Sequence, residues 1–176
     1  HTGEIAASMV KDVGGSWVLV GHSERRNDQG ESDALVAQKF ASAIASDLRP
    51  IVCVGETLMQ REAGDAFAVV SMQLQAVIDL CGVSALVKGA IAYEPLWAIG
   101  TGLTATPEQA GQMHSSIREL IAVLDKDTAK AARIIYGGSV NPENAGAMFA
   151  QKEIDGALVG GASLQAHSFA AIVAAI

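Results

Sequence analysis

Five short and almost uninterrupted apolar runs occur along the chain and predict five β-strands. None of them alternates between apolar and polar positions, and such continuous runs are typical of parallel strands that are buried on both faces. Each run ends in a small polar or glycine-rich segment. The predicted strands comprise residues 17–20, 51–54, 90–93, 134–136 and 157–159.

Longer segments with helical spacing of apolar residues connect these runs. Thr106-Pro107 and Asn141-Pro142 both look like helix starts, because a capping side chain precedes a proline at the first helical position. The predicted helices comprise residues 5–13, 32–46, 62–80, 106–124, 141–150 and 166–175.

The alternation of strands and helices predicts the α/β class and a single domain over residues 1–176. Two architectures fit this pattern, an open doubly wound sheet and a (β/α)8 barrel. Five strands suffice for an open sheet, whereas a barrel needs eight strands and typically about 250 residues. In both architectures the chemistry lies at the carboxyl ends of the strands, where the polar segments fall.

Composition and charge exclude several classes of protein. Half of the residues are hydrophobic and 18% are charged, which favours a packed core over disorder. The net charge is −7 and no basic cluster exceeds Arg25-Arg26, so we expect no nucleic-acid partner. No apolar run approaches the roughly 18–20 residues of a membrane helix, so we expect no membrane partner.

The cysteines and histidines lack the spacing of metal ligands. Cys53 and Cys81 have no ligand spacing and no disulfide-dense context, which indicates a reducing compartment. We also expect no secretory leader, since no signal peptide pattern is present. These observations predict a protein without a metal site.

Two ionisable residues lie at the ends of predicted strands, Glu94 directly after its strand and His22 after one glycine. Glu94 follows the run 90–93, and partial burial there would raise its pKa and make it a better base. His22 follows the run 17–20, where an imidazole can shuttle a proton or polarise a carbonyl. Taken singly, the alternatives are a solvated loop glutamate and a histidine bonded to backbone.

Two glycine-rich loops and one apolar loop complete the candidate chemistry. Residues 137–139 and 159–163 follow the last two predicted strands, and glycine lets backbone N–H groups approach a phosphate closely. Residues 95–105 are apolar yet bracketed by proline and glycine, which suggests a lid over a site. The alternative for that segment is an ordinary ordered loop.

Four of these segments, taken in order, resemble the triosephosphate isomerase family. They are Gly21-His22-Ser23-Glu24-Arg25-Arg26 and residues 92–102, 136–140 and 158–164. The resemblance extends over essentially the whole chain. It implies a (β/α)8 TIM barrel, of which this chain supplies about the last five βα units.

The resemblance also implies the function. Members of the family interconvert dihydroxyacetone phosphate and D-glyceraldehyde 3-phosphate in glycolysis and gluconeogenesis by proton transfer through an enediolate. They are cytoplasmic, usually form a homodimer, and use neither a metal nor an organic cofactor. We therefore expect a small phosphorylated triose as the substrate.

Matching motif positions assign roles to individual residues. Glu94 would be the base and His22 the neutral electrophile, with Ser23 and Glu24 supporting them. The substrate would contact residues of the glycine-rich loops, the lid and the pocket wall: Gly100, Ser139, Leu158, Gly160 and Gly161. Residues 95–105 would close over the site, and residues 2–4 resemble the tip of the family's dimer loop.

One family motif has no counterpart in this sequence. In the family an early strand carries an Asn-x-Lys pair whose lysine helps bind the substrate, and no Asn-x-Lys occurs here. We therefore expect the chain to correspond to the C-terminal two-thirds of a family member. Two alternatives stay open: an inactive fragment or scaffold, and a different phosphate-binding barrel enzyme, against which the pairing of His22 with Glu94 argues.

Overall fold

The computed structural model describes residues 3–100 and 103–176. Within them four strands form one parallel sheet in the order β1-β2-β3-β4. The strands are β1 (Trp17–Val20), β2 (Arg49–Val54), β3 (Ala90–Tyr93) and β4 (Ile134–Tyr136). Neighbours along the chain are thus neighbours in the sheet, without the order reversal that marks a doubly wound sheet.

The prediction of a fifth strand over residues 157–159 is wrong for the described residues, in which this run forms a single bridge between Tyr136 and Ala157. Backbone bonds flank the bridge, with Tyr136 N–H donating to Gly156 O at 3.0 Å and Leu158 N–H donating to Tyr136 O at 2.8 Å. The pairing is short because β4 ends at Tyr136. The run nevertheless lies beside β4 in the parallel direction.

Nine α-helices and three short 3-10 turns lie along the described residues. The helices are α1 (Ala7–Asp12), α2 (Ser23–Asp28), α3 (Asp33–Ala45), α4 (Leu58–Glu62), α5 (Ala66–Cys81), α6 (Pro107–Leu124), α7 (Lys126–Ala131), α8 (Ala145–Phe149) and α9 (Ala166–Val173). The 3-10 turns are Val83–Lys88, Leu96–Ala98 and Gly161–Leu164.

Local capping chemistry explains where the helices begin. The predicted start at Thr106 is confirmed, because its hydroxyl and the Gln109 side chain form a reciprocal capping box around Pro107. The predicted start at Asn141 is wrong: Asn141 Oδ1 accepts from the N–H groups of Glu143 and Asn144, forming a turn, and α8 starts only at Ala145. Side chains that cap a helix can equally hold a turn.

The hydrophobic core lies between the sheet and the helices α3, α5 and α6. Fully buried side chains of those helices meet fully buried side chains of the strands, among them Val36, Phe40, Val70, Leu74, Ile117, Ile121, Val52, Ile91 and Ile134. Burying one such side chain contributes about 1.5–3 kcal/mol. This packing fixes the strand ends on which the candidate site is built.

β1 is less covered than the other strands in the described part of the chain. Trp17 and Leu19 are 39% and 36% exposed, whereas every residue of β3 is buried.

Over residues 3–100 and 103–176 no helix is both long enough and apolar enough to cross a membrane.

Candidate functional site

The strand ends bring His22 and Glu94 together. His22 is the N-cap of α2, directly after β1 and Gly21, and Glu94 directly follows β3. His22 Nε2 lies 3.5 Å from Glu94 Oε1, and the Ser23 N–H donates to Glu94 Oε2 at 3.2 Å. Three residues that we predicted at the site from sequence are thus in direct contact.

Glu94 is held tightly by its backbone as well as by its carboxylate. Its N–H donates to Val54 O at 2.7 Å, and the residue is only 2% exposed. Gly55 packs against it so closely that a Cβ there would lie 1.8 Å from Glu94 O. A side chain at position 55 would therefore displace the strand end that carries the carboxylate.

Burial raises the pKa of the Glu94 carboxyl. The attraction of His22, the Cys53 thiol, the Ser23 N–H and the Arg26 charge oppose this effect without cancelling it. A carboxylate with a raised pKa is a stronger base at neutral pH. The raised pKa of Glu94 is the one predicted from the sequence, and its role as a base stays a prediction.

The hydrogen bond at His22 defines which nitrogen of the ring can carry the proton. His22 Nδ1 accepts a long bond of 3.4 Å from the Glu24 N–H at the start of α2. An accepting nitrogen carries no proton, so a neutral ring carries its proton on Nε2. Nε2 is also the nitrogen that faces Glu94, so the ring presents a donor beside the base.

A buried glutamate that our sequence analysis missed fixes the start of the predicted lid. Glu56 Oε1 accepts from Tyr93 Oη at 3.0 Å, from Trp97 Nε1 at 2.9 Å and from Arg61 Nη1 at 3.1 Å. The Arg61 guanidinium also lies 4.9 Å from the centre of the Trp97 ring. The signal in the sequence is a charged residue that follows the buried run 51–54 after a single glycine, Gly55.

The remaining predicted residues lie at the same edge of the sheet, although the structure does not place all of them in direct contact with Glu94. Ser139 N–H donates to Ala98 O at 3.1 Å, which joins the loop after β4 to the predicted lid. Leu158 lies on the segment that pairs with Tyr136, and Gly160 and Gly161 follow it. Both glycines are exposed, and a Cβ at either one would meet open space.

Parts of two predicted segments fall outside the described residues. Thr2 of the predicted dimer-loop tip and residues 101–102 of the predicted lid are among them. Gly100 is described and has a φ of +67°. A search of residues 3–100 and 103–176 finds no group of three or more histidine, cysteine, aspartate or glutamate side chains that could hold a metal ion.

The sequential order of parallel strands is that of an α/β-barrel protein. At the strand ends a buried carboxylate lies beside an imidazole, and such an arrangement is suited to acid–base chemistry. The sequence model of triosephosphate isomerase matches residues 1–176. This chain therefore belongs to the triosephosphate isomerase family, which confirms the barrel class and the family predicted from the sequence.

Individual relatives show how far the similarity extends. The triosephosphate isomerase of Alcanivorax borkumensis is 53% identical over 171 residues, which cover 97% of this chain and 69% of the relative. That of Xanthomonas oryzae pv. oryzae is 54% identical, with 99% and 70% covered. That of Vibrio vulnificus is 55% identical, with 99% and 68% covered. The chain thus spans about two-thirds of the length of these relatives, as expected from the sequence.

Proposed function

We propose that this chain carries the proton-transfer site of a triosephosphate isomerase, which interconverts dihydroxyacetone phosphate and D-glyceraldehyde 3-phosphate. The observation that supports this most directly is the Glu94 carboxylate, which is buried and lies between the Ser23 N–H and His22 Nε2. The family membership supports the choice of substrate.

The proposed reaction begins with Glu94 as the base. Its carboxylate takes a proton from the carbon next to the substrate carbonyl, and the electron pair of that C–H bond moves to form the enediolate. The His22 Nε2–H donates to the carbonyl oxygen, on which negative charge develops, and stabilises it. The proton of the neighbouring hydroxyl passes through His22 Nε2 to the former carbonyl oxygen, and Glu94 returns its proton to the carbon that bears that oxygen, so the net change is isomerisation without a co-reactant.

The phosphate of the substrate would bind at the glycine-rich loops. We assign the N–H groups of Gly100, Gly160 and Gly161 to the phosphate, and Leu158 to the pocket wall. The Ser139 N–H would join them after it leaves Ala98 O, to which it donates at 3.1 Å. The exposure of Gly160 and Gly161 and the open space around them support this assignment. Backbone N–H groups without neighbouring side chains can approach a phosphate closely.

The predicted lid would exclude water from the enediolate. Residues 95–105 leave the strand end next to Glu94, and their beginning is attached to Glu56 through Trp97. The bond from Ser139 N–H to Ala98 O couples that beginning to a proposed phosphate loop. Water exclusion strengthens every electrostatic interaction in the site and protects a reactive intermediate.

We further infer that the protein acts as a homodimer in the cytoplasm, without a metal or organic cofactor. The segment that resembles the dimer loop supports the homodimer: Glu4 Oε1 accepts from Arg25 Nη1 at 2.7 Å, and Arg25 Nε donates to buried Glu31 at 2.8 Å. The network would anchor one end of the loop next to the helix that follows His22. Glu24, which lies in that helix, would support His22 through its N–H.

A second candidate is a folded scaffold of the same family without activity. This alternative is consistent with the absence of an Asn-x-Lys pair from these 176 residues, because the lysine of that family motif helps bind the substrate. A coupled triose phosphate assay on the 176-residue chain, with and without an added segment that bears an Asn-x-Lys strand, separates the two candidates. Turnover in either arm supports the enzyme, and its absence in both supports the scaffold.

The proposed roles of Glu94 and His22 predict specific losses in a turnover-competent preparation. Glu94→Gln keeps the shape and removes the base, so kcat should fall by about 10²–10⁴-fold or more while KM changes little. His22→Asn should also lower kcat, because the imidazole acts on charge that develops during the reaction. The coupled assay in both directions measures both values. Unchanged turnover in Glu94→Gln would contradict the assignment of the base.

A further inference from the structure

Arg26 folds back from α2 onto the strand ends that carry the site. Its Nε donates to Gly21 O at 2.8 Å, its Nη2 donates to Cys53 O at 3.2 Å, and its Nη1 lies 2.5 Å from Asp33 Oδ1. The side chain is only 11% exposed. One guanidinium therefore joins the end of β1, the end of β2 and the first turn of α3.

Only a guanidinium fits these acceptors. Its N–H donors lie in one rigid plane and point in several directions, whereas an ammonium is a compact point charge. The turn at Gly21 belongs to the same arrangement: Gly21 has a φ of +68°, and a Cβ there would lie 3.0 Å from Arg26 Nη2. A Cβ would meet Val36 Cγ1 first, at 2.7 Å, so Gly21 leaves space for both the Val36 and the Arg26 side chains.

The backbone segments that Arg26 binds, at Gly21 and Cys53, carry or adjoin residues that interact with the Glu94 carboxylate. His22 and Ser23 immediately follow Gly21, and both contact that carboxylate. Cys53 lies opposite Ala92 in the sheet, and its thiol interacts with Glu94. Arg26 thus ties down the backbone at the ends of two strands that lead to the proposed base.

We propose that Arg26 is a positioning residue, which holds His22 and the Ser23 N–H in place against Glu94. This proposal rests on the proposed function of Glu94 and His22 as the proton-transfer pair. The charged and titratable groups around Glu94 are His22, Cys53 and Arg26, and the positive charge of Arg26 opposes the rise in the carboxyl pKa. Loss of that charge should therefore raise the pKa of Glu94 further.

The test compares Arg26→Met, which removes the donors and the charge, with Arg26→Lys, which keeps the charge alone. In a turnover-competent preparation both should lower kcat by about 10²-fold, since small misplacements near the chemistry have effects of this size. KM should change little. The acidic limb of the kcat/KM profile against pH should move to higher pH in Arg26→Met and less in Arg26→Lys.

Arg25→Lys is the matched control. Arg25 is the adjacent residue of α2, and its bonds run to Glu31 and Glu4 instead of the strand ends. We expect Arg25→Lys to leave the pH profile unchanged. Wild-type kcat in Arg26→Lys, or a loss of thermal stability with the pH profile and kcat unchanged, would overturn the proposal.

A carbon-13 titration of the Glu94 carboxyl separates this proposal from the proposed function. The signal is assigned with Glu94→Gln and needs no turnover. A higher pKa of Glu94 in Arg26→Lys, which keeps the charge, supports the positioning role even if the 176-residue chain has no activity, because the Ser23 N–H and His22 then no longer hold the carboxylate. A pKa that rises in Arg26→Met and is unchanged in Arg26→Lys shows an effect of charge alone and counts against the positioning role. If Arg26→Met does not fold, the kcat of Arg26→Lys relative to Arg25→Lys decides.

Discussion

The buried histidine of α6 makes folding stability depend on pH in a way that can be calculated from its surroundings. His114 is fully buried, and burial lowers its pKa from 6.5 to about 4. Its Nδ1 lies 3.2 Å from Glu153 O, and its ring lies against Tyr93 and Tyr136. Asp155 favours the protonated ring and Arg118 opposes it. The folded protein therefore holds His114 in its neutral form.

The sign of the effect follows from which state binds the proton. Below the unfolded pKa of about 6.5 the unfolded chain protonates His114, whereas the folded chain resists protonation down to a pKa of about 4. The free energy of unfolding is therefore unaffected by His114 above pH 6.5, and it decreases as the pH falls from 6.5 towards 4. At about 1.4 kcal/mol per pKa unit, the loss from this one residue amounts to about 3 kcal/mol.

Urea unfolding between pH 4 and pH 8 measures this dependence. His114→Gln removes the titrating ring, so its free energy of unfolding should fall less steeply than that of the unmodified chain between pH 6.5 and pH 4. His167→Gln, at an exposed position of α9, controls for the loss of one histidine. Parallel curves for the unmodified chain and His114→Gln would refute the reasoning, because the carboxylates common to both would then account for the whole slope.

Two further predictions concern the proposed phosphate loops and the lid. Gly160→Asp should weaken the binding of an inorganic phosphate analogue far more than Gly160→Ala. The open space at this position accepts a methyl group, whereas a carboxylate repels the anion. Equal affinities of the two variants by calorimetry would contradict the assignment of Gly160 to the phosphate site. Trp97→Phe removes the hydrogen-bond donor to buried Glu56. Hydrogen bonds to charged groups contribute about 1.5–3 kcal/mol, so the free energy of opening this segment should fall by that amount. Hydrogen exchange at the Ala98 N–H should then accelerate at least about tenfold. Trp17→Phe on β1 is the matched control, and equal exchange rates in the two variants would contradict this role of Trp97.

The sequence alone determined the four strands of the described sheet and the class of the fold. A strand buried on both faces, such as β3, needs apolar residues at every position, so the run itself marks the strand. The prediction of burial on both faces is wrong for β1, in which Trp17 and Leu19 are exposed, so the apolar run predicts the strand and the tertiary structure decides its burial. The capping box at Thr106 was predictable for the same reason, since all its groups lie within one helical turn. At Asn141 local information failed, because the same kind of side chain holds a turn instead of a helix.

The candidates for catalysis were also visible in the sequence, as polar residues that directly follow buried runs. The spatial arrangement of these residues was not visible in the sequence. Only the tertiary structure shows that the Ser23 N–H and His22 both reach the Glu94 carboxylate, that Glu56 holds Trp97, and that Arg26 joins two strand ends. These contacts link residues far apart in the chain, and such contacts leave no periodicity or spacing in the local sequence. The pKa of Glu94 depends on the same distant neighbours, so packing decides it.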